Sequence, residues 1–287
     1  MFGKRGPSTP LELGYQAFEA KDWASAGGLL AEAAAELPGP TAVSVWFDAA
    51  LAYKFDRNWP RAYELGLKAI DGLPRGQQEP AFWNLGIAAT VLREWDTARD
   101  AWDGFGLGAE CETSEGPTAY RIGTTCIRLA CDEVVWAVRV CPTRARVVNV
   151  PWDLTRRFGE VVLHDGAPNG ERVLNGRRVP VFDEIALFEP SPIATLSVTV
   201  VGSTSADLDA LSEAFQEAGH GFDMPSTGTV FCKCCSEGTI DQEHKHVDGE
   251  QHVYLGAPME DARQLLSAWA DAEPDARSWS GLHQPEV

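Results

Sequence analysis

Residues 81–102 read AFWNLGIAATVLREWDTARDAW, a stretch in which a tryptophan is followed three positions later by an alanine. The same spacing occurs at two earlier places, so that Trp23, Trp59 and Trp95 lie 36 residues apart. An internal period of this length is typical of proteins built from stacked copies of one supersecondary unit. The N-terminal third of the chain is therefore predicted to contain three copies of a helix pair.

The three copies stay in register when they are aligned on the alanines that follow the tryptophans. Small residues then coincide in the first half of each copy, where they allow two helices to approach closely. Prolines end the first two copies, because proline cannot continue a helical hydrogen-bond ladder. The aligned positions are Ala26, Ala62 and Ala98; Gly14, Ala50 and Gly86; Leu30, Gly66 and Trp102; and Pro38 and Pro74.

These residues resemble the tetratricopeptide repeat (TPR), whose pattern is an aromatic residue, Leu-Gly, a second aromatic residue, a small residue, a large apolar residue and a terminal proline. The resemblance covers residues 8–107 and is closest in the third copy. The first copy has Ala17 where an aromatic residue is usual, the second has Gly66 at a large-residue position, and the third lacks its proline. The resemblance implies a stack of helix pairs that binds a protein or peptide.

In such a stack the first helix of each pair lines the concave surface. Here the corresponding positions are apolar and aromatic, so the basic clamp with which some family members hold a peptide carboxylate is not expected. The groove either holds an apolar or amphipathic segment of another protein or is filled by the C-terminal half of this chain. The predicted groove residues are Leu11, Tyr15, Phe18, Phe47, Leu51, Phe55, Trp83, Ile87 and Val91.

The pattern changes after the third copy. Residues 108–117 are rich in glycine and acidic residues without helical periodicity, and they are predicted to form a linker. Residues 118–190 contain short β-branched and aromatic runs separated by Asp-Gly and Asn-Gly pairs, which are typical of hairpin turns. We predict a small antiparallel β barrel or sheet here. His164 and Asp165 lie at one of these turns and are expected to be structural.

Residues 191–287 alternate between strand and helix patterns. Strands are predicted at 193–201, 229–232 and 251–255, with helices beginning near residues 205 and 258. This order is that of a ferredoxin-like module, although no final strand is evident. The predicted fold class is therefore multidomain α+β, with N-terminal helical repeats, a β-rich module and an α+β module that carries a zinc-binding hairpin.

Cysteines and histidines cluster between the last two predicted strands. Cys232 and Cys235 have the C-x2-C spacing that brings two sulfurs to one ion, and His244 and His246 would point to the same side of an extended strand. Two thiolates and two imidazoles complete a tetrahedral Zn²⁺ site. We predict a structural zinc ion. The alternate ligands are Cys234 and His252.

Other interpretations of this cluster are a redox dithiol and a catalytic zinc site. A catalytic site would need an open coordination position and a nearby carboxylate, and three carboxylates are close in sequence. We expect the structural role, since no other catalytic motif is present. The three carboxylates are Glu237, Asp241 and Glu243.

The formal net charge is −18, which argues against nucleic acid or an anionic membrane as a partner and favours basic proteins or peptides. The seven cysteines are an odd number and do not resemble a secreted disulfide framework. No apolar run is long enough for a membrane helix, and the first ten residues do not resemble a secretory signal. A cytoplasmic location is expected.

The sequence thus predicts a non-enzymatic adaptor or scaffold that uses TPR-like helices to bind a protein. One alternative is an immunity protein that neutralises a basic toxin, because its strong negative charge would suit such a partner. A second alternative is a metal-dependent enzyme that uses the cysteine and histidine cluster.

Overall fold

The computed structural model describes residues 9–174, 176–224 and 249–286. It is a mixed α+β structure with an N-terminal helical region, as predicted. The chain divides into two compact units, of which the first ends at Tyr120 and the second begins at Arg121.

The described part of the first unit contains six α-helices, and each of them packs against the next along the chain. This arrangement places the helices in three successive pairs. They are α1 (Pro10–Glu19), α2 (Trp23–Glu36), α3 (Gly39–Phe55), α4 (Trp59–Ala69), α5 (Pro80–Leu92) and α6 (Trp95–Phe105).

The turn inside each pair has the same backbone conformation. Lys21, Arg57 and Arg93 occupy equivalent positions and have left-handed φ values of 60°, 58° and 62°. Each tryptophan of the 36-residue period is the first residue of the second helix in its pair. The backbone hydrogen bonds that close the turns run from Asp22 to Ala17, from Asn58 to Tyr53 and from Glu94 to Ala89, each at 2.9 Å. The sequence period therefore corresponds to a structural period.

Close helix contact inside the pairs depends on the small residues. A Cβ atom added at Gly14 would lie 2.8 Å from Cγ of Leu30, and one added at Gly86 would lie 2.5 Å from the ring of Trp102. Both distances are shorter than a packed interior allows. The same two aligned positions therefore pack against each other in the first and the third pair.

The segment predicted to be a linker is attached to the helical unit. Within residues 108–117, the carbonyl oxygens of Thr113 and Gly116 accept hydrogen bonds from the Arg99 guanidinium at 3.0 and 3.2 Å. The first unit accordingly continues through this segment to Tyr120.

The second unit begins with a six-stranded sheet. Five of its strands close into a barrel in the order β1-β2-β3-β4-β6, and β5 is added to β6 as a hairpin. The strands are β1 (Gly123–Arg128), β2 (Val134–Cys141), β3 (Arg144–Val147), β4 (Val161–His164), β5 (Glu171–Leu174) and β6 (Arg177–Glu189). The barrel core consists of Ile127, Leu129, Val135, Ala137, Ala145, Val147, Val162 and Phe182.

The barrel is not wholly antiparallel, and on this point the prediction is wrong. Strands β1 and β6 pair in parallel, with Cys126 opposite Val181. The cause is the odd number of strands, because five strands that alternate in direction leave the first and the last running the same way. Closure between them must then be parallel.

The described residues also form a second antiparallel sheet, whose four strands have the order β10-β7-β9-β8. Two helices, α7 and α8, follow β7 and β9 in the chain, and their apolar residues share one core with the sheet. The predicted strand at 229–232 lies outside the described residues. The elements are β7 (Thr195–Gly202), α7 (Ser205–Glu217), β8 (Gly221–Asp223), β9 (Gly249–Gly256), α8 (Met259–Ala272) and β10 (Arg277–His283).

Phe158, in the loop between β3 and β4, joins the barrel to this second sheet. Gly221 and Gly256 lie directly opposite each other on β8 and β9. A Cβ atom at either glycine would lie 2.7 or 2.5 Å from the Phe158 side chain. The paired glycines therefore form a notch that admits the aromatic ring, so the barrel and the sheet share one interface inside the second unit.

Candidate functional site

The predicted groove residues lie on the first helix of each pair, α1, α3 and α5. Tyr15 and Phe55 are the most exposed of them, at 39% and 46%. Ile87 is fully buried, so it belongs to the helix packing and not to an accessible surface. The half-buried members are Leu11, Phe18, Phe47, Leu51, Trp83 and Val91.

An aromatic cluster connects the first two helix pairs. The ring of Trp23 lies 5.1 Å from that of Phe18 and 4.8 Å from that of Phe55, measured between centroids. Phe18 and Phe55 are 6.4 Å apart. The sequence identified Trp23 only as a marker of the repeat. Its position at the start of α2 is what places it beside Phe55, and this position follows from the turn geometry.

Two polar contacts connect the first helices of neighbouring pairs. The Tyr15 hydroxyl donates a hydrogen bond to Asp48 at 2.7 Å, and Lys54 Nζ donates one to the Asn84 side chain at 2.9 Å. Burial, together with the nearby Asp48, raises the pKa of Tyr15 to about 12. Lys54 is buried, so its cation contributes to helix packing and is not presented as a carboxylate clamp.

Most of the predicted zinc ligands lie outside the described residues. These ligands are Cys232, Cys234, Cys235, His244 and His246, and the same is true of Glu237, Asp241 and Glu243. Within residues 9–174, 176–224 and 249–286, no group of three or more His, Cys, Asp or Glu side chains is placed to hold a metal ion.

His252, the remaining alternate ligand, is an exposed residue of β9. Its Nε2 atom lies 3.1 Å from the Ser197 hydroxyl on the neighbouring strand. Its ring packs edge-on against Tyr254, with 5.2 Å between ring centroids. These neighbours account for its orientation without a metal ion.

One of the two buried thiols described in the barrel strands, that of Cys126, does not have the properties of a nucleophile. Cys126 on β1 is fully buried. Burial raises the pKa of its thiol to about 11, although the nearby Arg172 guanidinium opposes that change. The thiolate is the reactive form of cysteine, so this side chain is inert near neutral pH. It serves as a small apolar core residue.

Two carboxyl groups with raised pKa values lie near each other in the second unit. Burial raises the pKa of Glu133, although its carboxylate accepts hydrogen bonds from the amides of Trp152 and Asp153 at 2.9 and 3.1 Å. Burial also raises the pKa of Asp223 to about 6, with a further contribution from the Glu133 charge and an opposing hydrogen bond from Asn149. Asp223 is therefore a partly buried carboxylate whose charge the fold does not fully compensate.

Replacing Asp223 by asparagine is expected to stabilise the protein at pH 8 by up to about 3 kcal/mol. The pKa of Asp223 is higher in the folded state than in the unfolded state. The contribution of its protonated form to the free energy of unfolding is therefore fully present below the unfolded pKa and is lost as the pH rises through about 6. Asparagine removes that loss. Urea unfolding at pH 8 and at pH 4 measures the difference, and an equal effect of Asp223→Asn at both values would contradict this interpretation.

Comparison with known proteins adds little. No family model matches this chain, and no curated protein matches it. A solved structure, that of a hypothetical protein from Neisseria gonorrhoeae, is similar over 57% of this chain and 96% of its own, with 10% sequence identity and a TM-score of 0.22. This likeness is too weak to establish a shared fold or function.

In the part of the chain that the structure describes, no helix is long and apolar enough to cross a membrane.

Proposed function

We propose that the helical unit is a TPR-type protein-binding module and that the protein is a non-enzymatic adaptor or scaffold. The repeated turn at Lys21, Arg57 and Arg93 supports the family, because one backbone conformation recurs at a 36-residue spacing. Stacked helix pairs create extended surfaces whose usual ligands are segments of other proteins.

The observation that carries the proposal is the exposure of aromatic side chains on the first helices. Tyr15 and Phe55 present about two-fifths of their surface to solvent while they rest on buried or half-buried neighbours. Aromatic residues with fixed orientations are enriched among the residues that dominate binding energy, since they bury a large area at a small entropic cost. This surface is therefore proposed to contact an apolar or amphipathic segment of a partner.

The test compares the full chain with the double variant Tyr15→Ala/Phe55→Ala in quantitative affinity purification. Any partner that the wild type enriches is then purified and titrated against both proteins. We expect the double variant to bind at least about tenfold more weakly, which corresponds to about 1.4 kcal/mol.

The matched control is Leu13→Ala/Val148→Ala, which removes equally exposed apolar side chains outside the predicted groove. Equal partner affinity in the control and in the groove variant would refute the proposed surface. Thermal unfolding of both variants verifies that the helical unit remains folded.

The second unit is proposed to contain a ferredoxin-like module with a structural zinc site. The sheet order β10-β7-β9-β8 and the position of one helix after β7 and another after β9 support the module. The cysteine and histidine spacing between β8 and β9 supports the zinc site. Elemental analysis of protein purified without added metal tests it: about one zinc per chain is expected, and a metal-free folded protein would exclude the site.

The net charge of −18 supports a second proposed function, the neutralisation of a basic toxin in the cytoplasm. Such a complex would combine electrostatic steering with a large buried interface, so it would survive high salt. A single basic partner that is retained at high salt and is insensitive to Tyr15→Ala/Phe55→Ala would favour this function over the adaptor.

A further inference from the structure

The helical unit contains a cavity that the predicted groove does not explain. It has a volume of about 1000 Å³ and lies between the first half of α3, the end of α4 and residues 70–75. A smaller cavity of about 250 Å³ shares Pro40, Val43 and Leu73 with it. The two spaces therefore form one depression on the surface of the second helix pair.

The depression lies beyond the end of α4, which stops three residues earlier in the repeat register than α2, as α6 also does. In the first pair, α2 runs to Glu36 and is followed by only two residues before α3. In the 36-residue register, α4 would extend to residue 72, but it ends at Ala69. Ile70 is the C-cap of α4, and Gly72 beyond it has a left-handed φ of 72°, so the helix does not resume there. The depression therefore lies beside the connection formed by residues 70–79, which is much longer than the two-residue connection after α2.

The floor of the depression is aromatic and firmly held. Trp46 lies beneath the Lys68 ammonium group, with Nζ 4.4 Å from the ring centroid. Phe82 is buried and packs so closely on α6 that a Cβ atom at Gly104 would lie 2.5 Å from its ring. Leu67, on the wall, is 42% exposed. A preformed apolar hollow of this kind is suited to one large apolar side chain.

The rim carries more negative than positive charge. Lys68 lies 3.8 Å from Glu64, and Arg75 pairs with Asp100 and Asp103 at 2.8 and 2.9 Å. Both rim cations therefore lie within ion-pair distance of neighbouring carboxylates, although Glu64 also pairs with Arg61. Two further carboxylates at the rim have no cationic partner among the described residues. These are Asp71 and Glu79.

We propose that this depression anchors a basic amphipathic segment of a partner protein. One large apolar side chain of the segment enters the hollow lined by Val43, Trp46 and Leu67. A lysine or arginine beside it pairs with Asp71 or Glu79. Because the rim is acidic, a basic segment binds more tightly than an acidic one. Because the floor is apolar, an amphipathic basic segment binds more tightly than a basic segment without apolar side chains. The inference rests on the proposed protein-binding function and adds to it the chemistry of the partner.

Three short synthetic peptides of equal length serve as probes in fluorescence anisotropy titrations of the full chain. The first is amphipathic and built from Leu, Trp and Lys, the second has Glu in place of Lys, and the third has Ser in place of Leu and Trp. We expect the first peptide to bind at least about tenfold more tightly than either of the others. Equal affinity for all three would overturn the proposal.

Charge-reversal variants test whether the basic peptide binds in the depression. Asp71→Lys/Glu79→Lys is expected to weaken the basic peptide at least about tenfold. The matched control Glu19→Lys/Glu36→Lys makes the same charge change at exposed positions of α1 and α2. An equal loss in the control would show attraction to the acidic protein as a whole, and the depression would then not be the site.

Two further variants test the apolar floor. Val43→Trp fills the hollow, and Leu67→Asp places a charge on its exposed wall without adding volume between helices; each is expected to weaken the peptide at least about tenfold. Retention of full affinity by Leu67→Asp would overturn the proposal. A second outcome would also overturn it: the chain binds no peptide but forms a dimer, and Leu67→Asp abolishes that dimer. A second copy of the chain would then be the occupant of the depression.

Tyr15→Ala/Phe55→Ala separates this inference from the proposed function. The double variant is expected to bind the basic peptide with unchanged affinity, since both residues lie outside the depression. Loss of a natural partner in Asp71→Lys/Glu79→Lys but not in Tyr15→Ala/Phe55→Ala would uphold the depression and reject the groove. The reverse result would uphold the groove and reject the depression.

Discussion

Replacing Arg156 by methionine is expected to destabilise the second unit by about 3–5 kcal/mol. The Arg156 guanidinium donates one hydrogen bond to Glu160 at 2.8 Å and two to Glu184 at 2.8 and 3.0 Å. The side chains of the two glutamates are only 3% and 4% exposed. Methionine fills a similar volume but leaves two buried carboxylates without a cation. Urea unfolding at pH 7 measures the loss.

The control for this prediction is the triple variant Arg156→Met/Glu160→Gln/Glu184→Gln. It removes the cation together with both charges that the cation neutralises, so most of the lost stability should return. In the wild type the Glu184 carboxylate accepts a hydrogen bond from the Ala130 amide at 2.8 Å. Glutamine at position 184 retains an oxygen that can accept this bond. A triple variant no more stable than Arg156→Met would show that the arginine acts mainly through packing.

This buried ion-pair cluster also holds the loop that contains Phe158. Arg156 and Glu160 flank Phe158 in the loop between β3 and β4, and Glu184 fixes that loop to β6. Phe158 in turn occupies the notch at Gly221 and Gly256. The loss of the arginine is therefore expected to weaken the contact between the barrel and the second sheet as well as the loop itself.

The sequence indicates the helical repeats because aligned positions carry out the same packing task in more than one pair. Gly14 and Gly86 must be small because Leu30 and Trp102 occupy the adjoining space. The parallel closure of the barrel was harder to foresee, since alternation of apolar and polar residues is the same whichever way the partner strand runs. The direction of closure depends on the number of strands in the barrel, which is odd.

Strand β10 could not be predicted from its own residues. Its sequence, RSWSGLH, is short and largely exposed, and only Trp279 and Leu282 contribute to the core. It is a strand because β7 offers a free edge about 75 residues earlier in the chain. Such non-local pairing leaves little trace in local composition.

The candidate surface was predicted in part. Repeat register correctly indicated that Tyr15 and Phe55 lie on the first helices, but it also included Ile87, which is buried. The signal that was missed is the composition of α5, which has apolar residues on all its sides and therefore no face meant for water. The depression beside Trp46 depends on where α4 stops, and a sequence pattern locates helix ends only to within a few residues.

Lowering the pH from 7 to 4 is expected to cost the second unit about 3 kcal/mol through His164 alone. His164 is fully buried at the end of β4, with its ring 4.7 Å from that of Phe182. Its Nδ1 atom is 2.8 Å from the Asp165 carbonyl oxygen, which can only accept, so Nδ1 carries the proton of the neutral ring. Nε2 has no hydrogen-bond partner within the described residues.

Burial lowers the pKa of His164 to about 4, and the nearby Arg139 charge acts in the same direction. A histidine in the unfolded state titrates near pH 6.5. Below that pH the unfolded state binds a proton at this residue, whereas the folded state does not bind one until the pH approaches 4. The stabilising contribution is present above about pH 6.5 and is lost as the pH falls towards 4.

His164→Asn keeps a donor for the Asp165 carbonyl but does not titrate. The difference in unfolding free energy between wild type and His164→Asn should therefore shrink by about 3 kcal/mol from pH 7 to pH 4. A constant difference would show that His164 titrates normally and is not held neutral by the barrel.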